Sequence, residues 1–207
     1  MKNNVYICIS GPSAAGKTTL IEQAVEILKG KGFSVAATLS STNRLPREYE
    51  RDGVDYRFFT PEEFQRLKDN GDFFVNSKCH GNEYGTLNRD RDCRKEEILL
   101  LNIDYAGAME IKERFPDATV TVFITADLAV LQQRLARRAS EEPEKKAQRI
   151  ADMKEQLASA INYDYIIFNN DLQAAVNELC TIIKAQANRL ALSRNMMALH
   201  TVLAGQQ

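Results

Sequence analysis

Eight residues near the N-terminus have the composition of a loop that binds phosphate. The stretch consists of Gly11, Pro12, Ser13, Ala14, Ala15, Gly16, Lys17 and Thr18, followed by Thr19. It matches the pattern G-x-x-x-x-G-K-[ST], in which backbone N–H groups approach phosphate oxygens and the lysine offsets their charge. The hydroxyl after that lysine can ligate magnesium. We predict that this loop binds a nucleotide triphosphate, with Lys17 as a catalytic cation and Thr18 as a metal ligand.

Two arginines three residues apart form a second candidate site. Arg44 and Arg47 flank Leu45 and Pro46, and the proline prevents a regular helix there. Two guanidinium groups on a stiff loop suit a phosphate monoester, because each can donate paired hydrogen bonds. Two later turns end in Tyr56 and Tyr84, whose hydroxyls can donate to an anion. Each feature alone also fits an exposed loop or a packed aromatic, but together they indicate an acceptor-phosphate site.

The elements around the first motif indicate an α/β fold. An apolar run, Val5–Ser10, leads into the loop, and apolar residues recur at helical spacing over 17–29. A second strand is predicted over 34–39, so the first forty residues form a βαβ unit and imply a parallel sheet. The sequence therefore predicts a P-loop NTPase-type parallel sheet flanked by helices.

The rest of the chain predicts further elements and an inserted lobe. Strands are expected over 98–101, 119–125 and 163–168, and helices over 106–115, over 127–160 with a break near Pro143, and from about Leu172, with a possible continuation into 196–203. Polar turns and short aromatic runs over 40–86 interrupt this regularity. We expect a single domain with its core at 1–34, 91–125 and 161–207, an acceptor lobe at 35–90 and a helical lid at 126–160.

Composition narrows the possible partners and locations. The chain has 207 residues, of which 44% are hydrophobic, and a formal net charge of −1, so neither nucleic acid nor membrane is an expected partner. The four cysteines are widely spaced without a C-x-x-C pair, which disfavours a zinc site or a disulfide framework and suits a reducing compartment. No apolar run approaches the roughly 18 residues of a membrane span, and no signal peptide is evident. We expect a cytoplasmic protein.

Five motifs occur in the order and at the spacing of the guanylate kinases, and the sequence resembles that family from about residue 5 to about residue 190. They are the phosphate loop, S-x-T-x-R-x-P-R-x-x-E at 40–50, D-G-x-x-Y at 52–56, Y-G-T at 84–86 and I-D-x-x-G-A at 103–108. The resemblance implies ATP as phosphoryl donor, Mg²⁺ as cofactor and a nucleoside monophosphate as acceptor, with GMP or dGMP the first candidate. It also identifies the inserted lobe as the acceptor-binding lobe.

The resemblance implies roles for residues beyond the phosphate loop. By resemblance, the acceptor phosphate is bound by Arg44, Arg47, Tyr56 and Tyr84, and the acceptor nucleotide is held or positioned by Ser40, Glu50, Thr86 and Asp104. Asn169 is similar to the family residue near the donor adenine. Arg134, Arg138 and Arg149 resemble the arginines of the family's lid, of which Arg138 and Arg149, with Arg44, are expected to be catalytic. For most of the charged lid segment, a solvated helix face is the alternative interpretation.

The sequence departs from the family at two positions. Counting back from the Y-G-T motif, the family's guanine-binding glutamate falls at Val75, which can accept no hydrogen bond. Asn102 stands where the family usually has an acid close to the magnesium. These departures predict weaker selection for guanine and reduced turnover, and they leave ATP binding largely untouched.

Two alternative functions stay open from the sequence. One is a kinase on this scaffold that acts on another phosphorylated small molecule, such as a modified nucleotide or a ribose phosphate, which the departures favour. The other is a non-catalytic interaction module, which the intact Lys17 and Thr18 disfavour. The helical stretch at 190–203 is a candidate homodimer contact.

Overall fold

The computed structural model describes residues 4–48, 50–79, 81–138 and 156–204, with backbone only at 137, 138, 194 and 197–204. The α-helices described in this part of the chain include α1 Lys17–Gly30, α2 Pro61–Asp69, α3 Asn88–Asp92, α4 Tyr105–Arg114, α5 Leu128–Arg138 and α6 Leu172–Ala204. Residues 156–159 are also helical, and two short 3-10 helices span Pro116–Ala118 and Ala160–Asn162. The strands are β1 Val5–Ser10, β2 Val35–Ala37, β3 Ser41–Thr42, β4 Arg57–Phe58, β5 Phe73–Cys79, β6 Asn82–Leu87, β7 Ile98–Asn102, β8 Thr119–Thr125 and β9 Tyr165–Phe168.

A five-stranded parallel sheet forms the centre of the molecule, in the order β2-β7-β1-β8-β9. The strands β1 and β8 are buried along their whole length, because helices cover both faces of the sheet. Parallel strands place their carboxyl ends at one edge, so the residues that follow β1, β7, β8 and β9 gather there. This edge carries the phosphate loop.

Two apolar clusters hold the helices against the sheet. On one face, α1 and α6 pack together over the sheet, with Leu20, Leu28 and Ile183 fully buried. On the other face, α4 packs against β1 and β8 through Ala108 and Ile111. The sheet edge is therefore fixed from both sides.

A second, four-stranded sheet in the order β4-β3-β6-β5 forms the inserted lobe. Its helix α2 begins at a capping box, in which the Thr60 hydroxyl accepts from the Glu63 N–H and the Glu63 carboxylate accepts from the Thr60 N–H. The lobe is joined to the core by Phe74, which packs in the cluster under α4 and whose carbonyl accepts from Arg114 Nη1 at 2.6 Å. This contact sets how the inserted lobe meets the parallel sheet.

The structure confirms the predicted α/β fold. Strand β8 has the predicted bounds, β7 and α4 differ by one residue at their ends, and the last helix does continue to Ala204. Strand β2 pairs with the parallel sheet although it lies inside 35–90, so the lobe sheet begins after it. Of the predicted helical region at 127–160, α5 is described, whereas 139–155 lies outside the described residues. The proposed division into core, acceptor lobe and lid stays a prediction.

Within the described ranges, no helix combines the length and the apolar character needed to cross a bilayer. Cys8, Cys79, Cys93 and Cys180 are free thiols.

Candidate active site

The phosphate loop is pressed against the end of strand β8. A side chain at Gly11, where φ is 141°, would place its Cβ 1.9 Å from the Ile124 carbonyl oxygen. At the other end of the loop, Gly16 has φ 85° and precedes the first residue of α1. Both positions require glycine, one for close approach and the other for a left-handed conformation. The spacing of the two glycines therefore fixes the path of the loop.

The N-terminus of α1 is open to an anion. No side chain caps it, and its first turn contains no acidic residue, so the partial positive charge of the helix is unopposed. Lys17 Nζ lies over the loop and donates to the carbonyls of Gly11 at 2.7 Å and Pro12 at 3.1 Å. Ser13, Thr18 and Thr19 are exposed beside it. This arrangement can bind a polyphosphate through backbone donors and the Lys17 ammonium group.

Asn169 lies directly beneath the loop. Its side chain is buried, and its Nδ2 donates to the Ala15 carbonyl at 2.8 Å. Its backbone N–H donates to Thr125 O at 2.6 Å, and its carbonyl accepts from Arg134 Nη2 at 2.9 Å. Asn169 therefore joins strand β8, the phosphate loop and helix α5.

On the acceptor side, Arg44 and Glu50 form a paired ion bridge. Arg44 Nη1 and Nη2 donate to the two Glu50 oxygens at 2.6 and 2.7 Å, and the Arg47 backbone N–H donates to the same carboxylate at 2.9 Å. Burial alone would raise the pKa of Glu50, but these hydrogen bonds hold it below its ordinary 4.5. Burial likewise would lower the pKa of Arg44, whereas its bonds to Glu50 raise it overall. Glu50 thus orients the Arg44 guanidinium and keeps it charged.

The two predicted tyrosines lie next to this pair. Arg44 lies over the Tyr56 ring, 5.1 Å from its centroid, and Tyr56 meets Tyr84 edge to face at 6.3 Å between centroids. Burial raises the pKa of the Tyr56 phenol above its ordinary 10.0, although Arg44 acts in the opposite direction. The phenol therefore keeps its proton at neutral pH and can donate it in a hydrogen bond. The structure brings all four predicted acceptor-phosphate residues, Arg44, Arg47, Tyr56 and Tyr84, onto the strands and loops of the lobe sheet.

Three further predicted residues lie where the lobe meets the parallel sheet. Ser40 is buried and donates from its hydroxyl to the Asn102 carbonyl at 3.2 Å. Asp104 precedes α4, and its carboxylate accepts from the Gly107 N–H at 2.9 Å. Thr86, on β6, is buried and pairs in register with Val75 on β5.

Comparisons with known proteins agree with this geometry. The family model described as guanylate kinase matches residues 3–186. The chain belongs to the guanylate kinase family.

Curated relatives and a solved structure support this membership. A guanylate kinase of Fusobacterium nucleatum is 38% identical over 178 residues, covering 85% of this chain and 94% of its own. One from Symbiobacterium thermophilum is 38% identical over 187 residues, covering 89% and 87%. The crystal structure of guanylate kinase from Anaplasma phagocytophilum is similar with a TM-score of 0.69 and 26% identity, over 90% of this chain and 87% of that one.

Val75 is the predicted substrate residue at which the resemblance implies a guanine-binding glutamate, and its side chain is apolar. Its side chain is 1% exposed and packs in the apolar cluster with Leu101 and Ala108. It faces the first turn of α4, because a Cβ at Gly107 would lie 3.3 Å from Val75 Cγ2. The position thus pairs with Thr86 and lies against the helix turn that follows Asp104, and the structure places a buried apolar side chain there.

A magnesium ion fits this site as a partner of the nucleotide. Among the described residues, no group of three or more His, Cys, Asp or Glu side chains is arranged to hold a metal. The exposed Thr18 hydroxyl follows the loop lysine, and Asn102 ends the neighbouring strand β7. Such a sparse protein ligand set suits Mg²⁺, which keeps several waters and binds through substrate phosphates.

Some predicted site residues lie outside the described atoms. The Arg138 side chain and all of Arg149 fall there, so their catalytic roles stay predictions. Arg134 is described, and it binds the carbonyl of Asn169. The sequence did not indicate that Asn169 would be buried under the loop, because only the order of the strands brings the end of β9 beside β8.

Proposed function

We propose that this protein transfers the γ-phosphoryl group of ATP to a nucleoside 5′-monophosphate, with GMP or dGMP as the acceptor, giving the diphosphate and ADP. Guanylate kinases use ATP and Mg²⁺, and membership in that family supports the same donor and cofactor here. The matched relatives give no support to a kinase of another phosphorylated compound or to a non-catalytic module.

The observation that carries this proposal is the combination of an intact phosphate loop and an arginine–tyrosine cluster on the inserted lobe. Lys17 and the open N-terminus of α1 supply the donor-phosphate site. Arg44 and Tyr56 supply fixed donors for a second phosphate. A non-catalytic module has no need of both.

The chemistry requires positioning and charge neutralisation more than proton transfer. The acceptor phosphate is already anionic at neutral pH, so no general base is needed. Negative charge spreads over the oxygens of the transferring phosphoryl group. Lys17 and the arginines of the predicted lid are the cations that would offset this charge. When bound, Mg²⁺ neutralises the donor phosphates, with Thr18 as the protein ligand. Glu50 holds Arg44 in orientation throughout, because its two bonds fix the guanidinium plane.

An assay of ADP release with ATP and each common ribo- and deoxynucleoside monophosphate tests the proposal. We expect acceptor-dependent ADP release that is fastest with GMP or dGMP. Saturable ATP binding without acceptor-dependent release would contradict catalysis, and a preference for a different acceptor would contradict the substrate. Sedimentation of subcellular fractions would test the cytoplasmic location that we propose alongside.

We also propose that the distal part of α6 forms a homodimer contact. Leu192 and Met196, which lie one helical turn apart, are 65% and 57% exposed. Analytical ultracentrifugation should show a dimer that the substitution Leu192→Glu converts to monomer. A monomeric wild-type protein at micromolar concentration would contradict this contact.

A further inference from the structure

The amide of Asn169 lies at an unusual place for a residue expected near a nucleotide base. It is 2% exposed, and its Nδ2 donates to the Ala15 carbonyl in the middle of the phosphate loop at 2.8 Å. A carbonyl oxygen can only accept, so the amide must present Nδ2 to it. The orientation of the Asn169 side chain is therefore set by the loop.

The same amide lies against the next residue of the loop. A Cβ at Gly16 would approach Asn169 Nδ2 to 2.4 Å. The Ala15–Gly16 peptide is thus held on one side by a hydrogen bond and by close packing. Since a trans peptide is planar, its N–H points opposite to its C=O. Anchoring the Ala15 carbonyl on the buried side consequently directs the Gly16 N–H to the opposite side, away from the core.

The anchor itself is held in place by the core. Asn169 N–H is bonded to Thr125 O at the end of β8, and the same strand meets Gly11 through the Ile124 carbonyl. Arg134 on α5 binds the Asn169 carbonyl. Both ends of the loop are therefore held against the same edge of the parallel sheet.

We propose that Asn169 is a positioning residue for the donor phosphates, whose buried amide aims the Gly16 N–H at them through the Ala15–Gly16 peptide. The inference rests on the proposed function only in taking the loop as the phosphate site. This positioning role differs from a contact with the base, because Asn169 then affects the binding of any polyphosphate ligand equally, whether or not the ligand has a base.

Binding of inorganic tripolyphosphate and of ATP, measured by calorimetry on the full chain, separates the two roles. We expect Asn169→Ala and Asn169→Asp to weaken both ligands by a similar factor of about ten, the worth of one hydrogen-bonded donor. Asn169→Asp keeps the side-chain volume but replaces the Nδ2 donor by an acceptor. This variant therefore preserves the packing and loses the hydrogen bond to the Ala15 carbonyl. In steady-state assays, KM for ATP should rise while KM for GMP stays unchanged.

The neighbouring Asn170 offers a matched control. Its Oδ1 accepts from the Asp127 N–H at 2.9 Å, and its side chain is exposed, so Asn170→Ala should leave tripolyphosphate binding unchanged. Weakened ATP binding with normal tripolyphosphate binding in the Asn169 variants would overturn the inference in favour of a base contact. Unchanged binding of both, or failure of both variants to unfold cooperatively, would also overturn it. A wild-type protein that binds no tripolyphosphate would instead contradict the proposed function itself.

Discussion

The proposed donor and acceptor phosphate sites are built by different physical means. The donor side consists of backbone groups whose path is fixed by Gly11, Gly16 and the buried Asn169. The acceptor side consists of side chains, in which Arg44 is already paired with Glu50 and lies over Tyr56. The backbone loop is preformed because it is anchored to the parallel sheet. The charged cluster on the four-stranded sheet keeps its arrangement because Arg44 is paired with Glu50.

This difference predicts how each side responds to substitution. On the donor side, a single added methyl group meets the Ile124 carbonyl at Gly11 or the buried Asn169 amide at Gly16. On the acceptor side, removing the Arg44 charge leaves the Glu50 carboxylate without its partner. The affinity for the acceptor should then fall by the free energy of a few hydrogen bonds. Five experiments test the contrast, from the largest expected effect to the smallest.

Lys17→Ala should reduce phosphoryl transfer by about a thousand-fold or more, because the fixed cation at the transferring group is lost. The fold should be retained, since Lys17 is only partly buried and its Nζ binds carbonyls of the loop itself. ADP release and the thermal unfolding midpoint measure the two effects. Lys29→Ala, at an exposed position of the same helix, is the control and should keep full activity. Near-normal turnover in Lys17→Ala would contradict the donor-site assignment.

Gly16→Ala should weaken ATP binding by about a hundred-fold, because its Cβ would meet Asn169 Nδ2 at 2.4 Å and its φ is 85°. Gly32→Ala is a close control. Its φ is 82°, but nothing lies within 4 Å of the added Cβ, so it carries the backbone strain without the clash. Equal effects of the two substitutions on ATP affinity would show that the loop is less tightly anchored than the structure indicates.

Arg44→Ala should raise KM for GMP by about ten- to a hundred-fold, through loss of a charge-assisted contact of about 1.5–3 kcal/mol. Arg47→Ala should have a smaller effect, because its side chain is 44% exposed against 14% for Arg44. KM for ATP should stay unchanged in both. If these variants impaired ATP binding alone, the separation into donor and acceptor sides would be wrong.

Val75→Glu should raise kcat/KM for GMP by at least about tenfold, because a carboxylate can accept from guanine N1–H and the exocyclic amine. The gain should be smaller with IMP, which has no exocyclic amine. The thermal midpoint should fall, since the side chain is 1% exposed among apolar neighbours. Val75→Gln serves as the uncharged control of similar size. Strongly guanine-selective wild-type activity, with no gain from the glutamate, would show that other residues select the base.

The smallest effect concerns pH. Hydrogen bonds from Arg44 and Arg47, acting against burial, hold the pKa of Glu50 below its ordinary 4.5 in the folded protein. The ionised carboxylate therefore stabilises the fold above that pH, and the contribution is lost as pH falls through the lower folded-state pKa. The difference in thermal midpoint between wild type and Glu50→Gln should shrink as pH falls below 4.5. A difference that is constant over this range would exclude the titration of Glu50.

The sequence determined the fold class and the form of the phosphate loop because both depend on local patterns. The apolar run of β1, the glycine spacing and the helical periodicity of α1 lie within the first thirty residues, and each specifies its element without distant contacts. The pairing of Arg44 with Glu50 is also local, six residues apart on one loop. The resemblance to one family could be recognised from the sequence because its motifs are also short local patterns.

Only the tertiary structure decided which distant residues support the loop and what surrounds Val75. Asn169 reaches Ala15 across 154 positions because β9 follows β8 in the sheet order, which no local pattern specifies. Val75 meets Gly107 because Phe74 and Arg114 fix the lobe against α4. Contacts of this kind depend on how whole elements pack, since hydrophobic burial chooses among arrangements that local sequence leaves equally open.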